Sequence, residues 1–243
     1  MRSIRGVYFW VMAFTVTFCL YLACMAAHLK VVVLGRPRDG RPVHRMALLW
    51  GRLLIRLMPG WQVEVTGREH LPPDHVPMVM VGNHESFADI WAMCSLDVQF
   101  RWLSKDSIFK IPMIGHAMRW ANYVSVERGR KNSTMLAMQT SAERLRQGLS
   151  MFYFPEGTRS IDGQLRPFKL GAFKLARDEQ VPVLPIAIHG AAELMPKHSW
   201  LPGKARVAIT ILPPLPPPAA TDDLDAYAGM VRGQIAAVHS QMI

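Results

Sequence analysis

Asn83-His84-Glu85-Ser86-Phe87-Ala88-Asp89 follows the apolar run Val76 to Val81 and opens the amphipathic run Ile90 to Leu96. An apolar run of strand length, a polar turn and then helical spacing read as strand, loop, helix, which sets His84 at the carboxyl end of a strand. Open α/β sheets bind their ligands there. A neutral imidazole takes a proton from a hydroxyl near pH 7, and a carboxylate within reach fixes its tautomer and stabilises the imidazolium that forms. His84 and Asp89 make such a pair only if His84 precedes the helix and Asp89 sits in its first turn, because residues that meet on a helix are three or four apart, not five. The same residues also fit a purely structural role. Ser86 with an acidic residue three positions later has the form of a capping box.

On either side of this stretch the periodicity keeps changing between two and three-to-four. Strand candidates are Gln62 to Thr66, Val76 to Val81, Phe100 to Leu103, Tyr123 to Val126, Met151 to Phe154, Val183 to Ile188 and Ala205 to Ile211. Helical runs separate them at Ser86 to Leu96, Ile111 to Trp120, Ser133 to Gln147 and Phe168 to Arg177. The alternation predicts one α/β domain with a mixed sheet flanked by helices, over residues 61–243. Pro213 to Pro218 is a rigid connector, and Thr221-Asp222-Asp223 caps a last helix that runs to about Ser240.

Residues 1–60 have a different character. The chain carries a formal net charge of +10, and nine basic residues precede position 61 against Asp39 alone, so most of the excess lies there. That charge brackets Val7 to Ala27, a charge-free run long enough to cross a hydrocarbon layer of about 30 Å. Basic residues beside an apolar span point to anionic lipid head groups rather than to nucleic acid. The run exceeds the h-region of a signal peptide and no small-x-small cleavage site follows it, so a retained anchor is expected. Because the basic excess follows the span, the positive-inside rule puts the remainder on the cytoplasmic side of the inner membrane. Val43 to Met58 forms a second helix, basic on one side, either lying in the membrane interface or packing as a core helix. Cys19, Cys24 and Cys94 have neither disulfide-framework nor zinc-site spacing.

Two further segments end strands in polar groups. In Phe154-Pro155-Glu156-Gly157-Thr158-Arg159-Ser160, Gly157 allows close backbone approach, Thr158 and Ser160 donate hydrogen bonds, and Arg159 offers a planar fork suited to phosphate. Tyr123 to Arg128 ends another strand with a guanidinium. A base beside two arginines suggests chemistry on a hydroxyl of a phosphate-bearing molecule. His84-Glu85 starts like a zincin helix, but the second histidine would fall at Ala88, so no metal site is expected. A Gly-x-Ser-x-Gly elbow, a phosphate-binding Walker loop and a dinucleotide fingerprint are all missing from the sequence.

Taken in order, Asn83-His84-x4-Asp89, Ser104-Lys105-Asp106 through Val126-Glu127-Arg128, Phe154 to Ser160 and Val181-Pro182-Val183-Leu184-Pro185-Ile186 resemble the motifs of the glycerolipid acyltransferase family. The likeness is greatest to its bacterial 1-acylglycerol-3-phosphate branch and covers about Gly60 to Gly190. The resemblance implies acyl transfer from a thioester, either acyl-CoA or an acyl-carrier protein, to the sn-2 hydroxyl of lysophosphatidic acid. The product would be phosphatidic acid for phospholipid biosynthesis, formed at a membrane without cofactor or metal. It implies His84 as base and Asp89 as its orienting partner, and assigns Arg128, Glu156, Gly157, Thr158 and Arg159 to the acceptor phosphate. Asn83, Ser86 and Lys105 take supporting roles. Asn122 and Asp106-Ser107 depart from the commoner Gly and Glu-Leu of the second motif. Glu156 has two open roles, pairing with Arg159 or accepting a glycerol hydroxyl. Other readings of the same residues are a different lysolipid acceptor, a thioesterase or lipid hydrolase, and a non-catalytic lipid-binding protein.

Overall fold

Val79, Met80, Val81 and Gly82 are buried without exception, as a strand covered on both faces of a parallel sheet must be. The computed structural model describes residues 2–35, 39–73, 76–160, 164–195 and 201–242. In chain order its elements are α1 (Arg2–Val33), α2 (Arg41–Leu57), β1 (Trp61–Thr66), β2 (Val79–Gly82), α3 (Asp89–Met93), β3 (Phe100–Lys105), α4 (Asp106–Phe109), α5 (Ile114–Trp120), β4 (Val124–Val126), α6 (Lys131–Arg146), β5 (Ser150–Tyr153), α7 (Gly171–Asp178), β6 (Val183–His189), α8 (Ala191–Leu194), β7 (Ala205–Ile211) and α9 (Leu224–Gln241). The strands form one sheet in the order β1-β7-β6-β2-β5-β3-β4. Neighbours run parallel except β6 and β7, which are antiparallel with Ile186 opposite Ile211. The sheet is therefore mixed, as the alternation predicts. β2 to β6 share one direction, so the segments after them gather at one edge.

Side-chain alternation builds a core on each face. Met80, Phe152, Leu184, Ile186 and Ile188 pack with α1, α2 and α3. Val79, Val81, Met151, Tyr153 and Ala187 pack with α6, α7 and α9. Leu48, Leu54, Ile55 and Met58 belong to the first of these cores, together with Phe9 and Met12. Thus α2 is a core helix rather than one lying free in an interface, and the core runs across the boundary expected at residue 60. Its start depends on Gly40, which adopts φ 72°, a region that costs glycine little. A Cβ there would come within 2.6 Å of the Ala121 carbonyl carbon. Arg36 and Arg38 of the expected turn lie outside the described residues.

α1 uses its two sides differently. On the inner side Phe9 is buried, Trp50 Nε1 donates to Thr17 Oγ1 at 2.9 Å, and Tyr21 and His28 stack on Trp120. Val7, Val11, Phe14, Phe18, Leu22, Met25 and Leu29 form an exposed stripe at the three- and four-residue steps of one helical face.

Some elements are shorter than the periodicity suggests. β2 starts at Val79 rather than Val76 because Pro77 has no N–H to offer a neighbour. The ladder opens with the Val79 N–H on the Pro182 carbonyl. The helix expected over Ser86 to Leu96 is a turn followed by α3 and then a 3₁₀ turn at Cys94–Leu96. Asn122, the departure from a commoner glycine, has φ 60°. Asparagine is among the few side chains that tolerate this left-handed conformation.

Candidate active site

The turn after β2 is held from both sides. Asn83 is buried and continues the sheet with its side chain, donating from Nδ2 to the Ile188 carbonyl at 2.7 Å and accepting the Ile188 N–H at 2.8 Å. The next residue is clamped by the loop after β5. The His84 N–H donates to Glu156 Oε1 at 2.8 Å, and its carbonyl accepts from the Ser160 N–H at 2.8 Å and from Ser160 Oγ at 3.1 Å. The imidazole lies flat on Phe154, with ring centroids 4.0 Å apart and planes 13° from parallel. With the main chain fixed and one ring face covered, His84 has little rotamer freedom left to lose when substrate arrives.

The contacts of Asp89 are compatible with both sequence readings. Its Oδ2 accepts from His84 Nδ1 at 2.6 Å, from the Glu85 N–H at 2.8 Å and from the Ser86 N–H at 3.0 Å. The two backbone bonds are the capping half of the role, although Ser86 Oγ itself donates to the Met195 carbonyl and accepts the Ala88 N–H. Asp89 is fully buried, and its Oδ1 has no hydrogen-bond partner among the described residues. Burial pushes this carboxyl above the usual aspartate range, and the His84 hydrogen bond pulls the other way. Because the carboxylate accepts, Nδ1 is assigned the proton. Nε2 then carries the lone pair, and it has no hydrogen-bond partner among the described residues. Such an imidazole can take a proton from a hydroxyl while Asp89 stabilises the resulting cation.

The other expected site residues sort into two groups. Glu156 neither pairs with Arg159 nor stands open to a hydroxyl. It is 4% exposed, with Oε1 on the His84 N–H and Oε2 accepting the Arg166 N–H at 2.9 Å. Both expected roles give way to a cross-link between two loops. Burial raises its pKa, opposed by those two amides and by the charges of His84 and Arg166. Gly157 takes φ 70°, and an added Cβ would meet Lys169 Nζ at 2.7 Å. Thr158, Arg159, Arg128 and Lys105 are exposed. Neither arginine has an ion-pair partner among the described residues. Arg159 follows β5, the immediate neighbour of β2, whereas Arg128 follows β4, three strands away, or roughly 14 Å at the usual strand spacing.

Phe154 and the Arg166 amide were not among the residues expected to shape the site, whereas Ser160, expected as a hydrogen-bond donor, spends both its N–H and its hydroxyl on the His84 carbonyl. The signal of Phe154 and Arg166 in the sequence is faint: an aromatic residue at the edge of a polar motif, and a main-chain amide ten residues past Glu156. An apolar cavity adjoins the site between α1, α2, α3 and α5. Cys24, Trp50, Phe87, Ile90, Trp102 and Met118 are among its lining residues. Trp102 stacks on Phe154, so the cavity wall is continuous with the support of His84.

The sequence matches the family model described as Acyltransferase over residues 62–189. A chloroplast 1-acyl-sn-glycerol-3-phosphate acyltransferase of Brassica napus is 38% identical over 196 residues, 81% of this chain and 56% of that protein. The chain thus spans little more than half the length of that plant relative. The alpha 1-acyl-sn-glycerol-3-phosphate acyltransferase of Homo sapiens is 33% identical over 239 residues, covering 97% of this chain and 82% of the human one. The crystal structure of the 1-acyl-sn-glycerophosphate acyltransferase PlsC from Thermotoga maritima superposes with a TM-score of 0.83 at 25% identity, over 100% of this chain and 98% of that one.

Proposed function

The chain belongs to the acyltransferase family, and from that membership we propose that it moves a fatty acyl group from a thioester to the sn-2 hydroxyl of lysophosphatidate. The observation that carries this reading is the 2.6 Å contact between His84 Nδ1 and Asp89 Oδ2 at the carboxyl end of a central strand. It supports a base whose second nitrogen is open to substrate. His84 Nε2 takes the acceptor's hydroxyl proton, and the oxygen attacks the thioester carbonyl. As the tetrahedral intermediate collapses, the thiolate leaves and recovers that proton from the imidazolium. A thioester is already activated, so positioning and one base suffice. The apolar cavity beside Phe154 is suited to an acyl chain. The exposed Arg159, supported by Arg128 and Lys105 along the same edge, is suited to the acceptor phosphate.

α1 is long and apolar enough to cross a membrane. Its inner side contacts the body from Phe9 to His28, which favours a helix sunk into one leaflet by its outer stripe. In this reading the cavity mouth lies near the lipid acceptor, and the cytoplasmic side, where thioester donors are made, is the side proposed for it.

The experiment is thiol release by the purified chain in detergent, with acyl-CoA or acyl-carrier protein and a panel of lysolipids. Release should depend on lysophosphatidate and yield phosphatidate. Release without any acceptor would make the chain a thioesterase, and no release with any combination, with lipid binding unchanged by His84→Ala, would favour a non-catalytic lipid-binding protein.

A further inference from the structure

Behind the His84 turn, three residues from distant parts of the chain converge. Glu85 follows His84, His189 ends β6 next to β2, and His239 lies on α9, which packs over β6. Glu85 Oε1 is 2.7 Å from His239 Nε2 and 3.8 Å from His189 Nδ1, while the two imidazole nitrogens are 3.4 Å apart. A triangle with those edges has a point about 2.0 Å from all three atoms, the length of a zinc bond to imidazole nitrogen or carboxylate oxygen. Ligands in tetrahedral zinc sites stand about 3.3 Å apart, close to the middle of this range.

We propose that Glu85, His189 and His239 form a binding site for a divalent metal ion of the zinc class. Two imidazoles and one carboxylate suit Zn²⁺ rather than Mg²⁺ or Ca²⁺, which prefer oxygen ligands throughout. The carboxylate is already oriented, because Glu85 Oε2 accepts the Ala191 N–H at 3.1 Å, as the outer partners of metal ligands do. The side chains of Glu85 and His239 are 7% and 6% exposed, and that of His189 is 28% exposed. Water therefore reaches the cluster on the His189 side and can fill a fourth position. A hydrogen bond between Glu85 and His239 needs only those two; the His189 nitrogen, 3.4 Å from His239 Nε2 and 3.8 Å from Glu85 Oε1, stands within ligand distance of the same point. The ion lies outside the proton path, since the partner of His84 is Asp89. It staples α9 and the end of β6 to the residue that follows the base. The residues are 154 positions apart from Glu85 to His239 and 50 from His189 to His239, so the linear spacing gave no hint of them.

The test uses the full chain, untagged, in detergent and stripped of metal with a chelator. Zn²⁺ titrated calorimetrically should bind with one equivalent and raise the melting temperature, and Co²⁺ as a stand-in should give intense visible bands. His239→Ala and His189→Gln should each weaken zinc binding by about 100-fold or more and abolish the thermal shift. His189 is partly exposed, so His189→Gln keeps its fold even if His239→Ala does not. If the wild-type chain binds no Zn²⁺, or the His189→Gln chain binds it equally well, the cluster is a hydrogen-bonded pair and the proposal fails. Binding is read without acyl transfer, so this outcome is independent of the proposed function.

Discussion

Asp89 holds one proton-bearing ring and two backbone amides with a single oxygen, and this concentration makes its scaffolding and electrostatic roles separable. Asparagine can keep an oxygen at the Oδ2 position, while its amide takes the place of Oδ1, which has no partner among the described residues, and so leaves one buried group unsatisfied. Asp89→Asn should therefore fold and lose less stability than Asp89→Ala while losing most acyl transfer, since a neutral amide does not stabilise an imidazolium. Asp89→Ala leaves the two amides and the ring unpaired. It should lower stability by about 1–3 kcal/mol for each buried group left unsatisfied. Thermal melts and turnover measured on both variants check this, and equal melting of the two would contradict it. Arg159 acts on a different quantity. With its guanidinium exposed and lacking an ion-pair partner among the described residues, Arg159→Ala should cost about 1.5–3 kcal/mol of acceptor binding. That is roughly a 10- to 150-fold rise in KM for lysophosphatidate with little change for the thioester. Arg159→Lys should restore only part, because a point charge lacks the fork. A defect in donor KM alone would move the arginine to the thioester site.

The strand-turn-helix around His84 and the strand-turn after β5 were both legible as elements, because each apolar run ends abruptly in polar residues. Their interlocking was not. Nothing in the spacing of Phe154 to Ser160 announces that Glu156 and Ser160 bond the backbone of a residue more than seventy positions earlier. A carboxylate in a polar loop reads as a ligand group until its burial is known. This interlock has a pH signature. Burial raises the Glu156 pKa above its ordinary 4.5, so between that value and the raised one the native state holds a proton that the unfolded chain has released. The carboxyl's contribution to stability is thus fully present below pH 4.5 and is lost as pH rises through the folded value. Glu156→Gln cannot titrate and can accept only one of the two amides with its oxygen. Melting temperatures across this window should show the wild-type chain's advantage shrinking with rising pH. An advantage that grows instead would contradict the burial argument. Element ends were misjudged where proline or a tight turn intervened, as at Pro77 before β2.

Across the whole molecule, the mixed sheet and the apolar N-terminal helix followed from periodicity and charge. The core shared by α1, α2 and the sheet did not, because a stripe that faces protein and a stripe that faces lipid have the same composition. Phe14 and Phe18 are 64% and 46% exposed on the outer stripe. Changing both to Glu should leave the melting curve unchanged and reduce partition into anionic vesicles at least about tenfold, a charge costing about 2.5–3.5 kcal/mol at a bilayer centre and less near the head groups. Flotation of the unchanged and altered chains measures this, and equal flotation would mean that the stripe faces no lipid. The proposed acyl transfer rests on one nitrogen, His84 Nε2, as the base. The most direct test is lysophosphatidate-dependent thiol release by His84→Ala, with circular dichroism to show that the chain is folded. Turnover should fall by about 10²- to 10⁴-fold with secondary structure intact, whereas a folded His84→Ala chain that keeps wild-type turnover would contradict it.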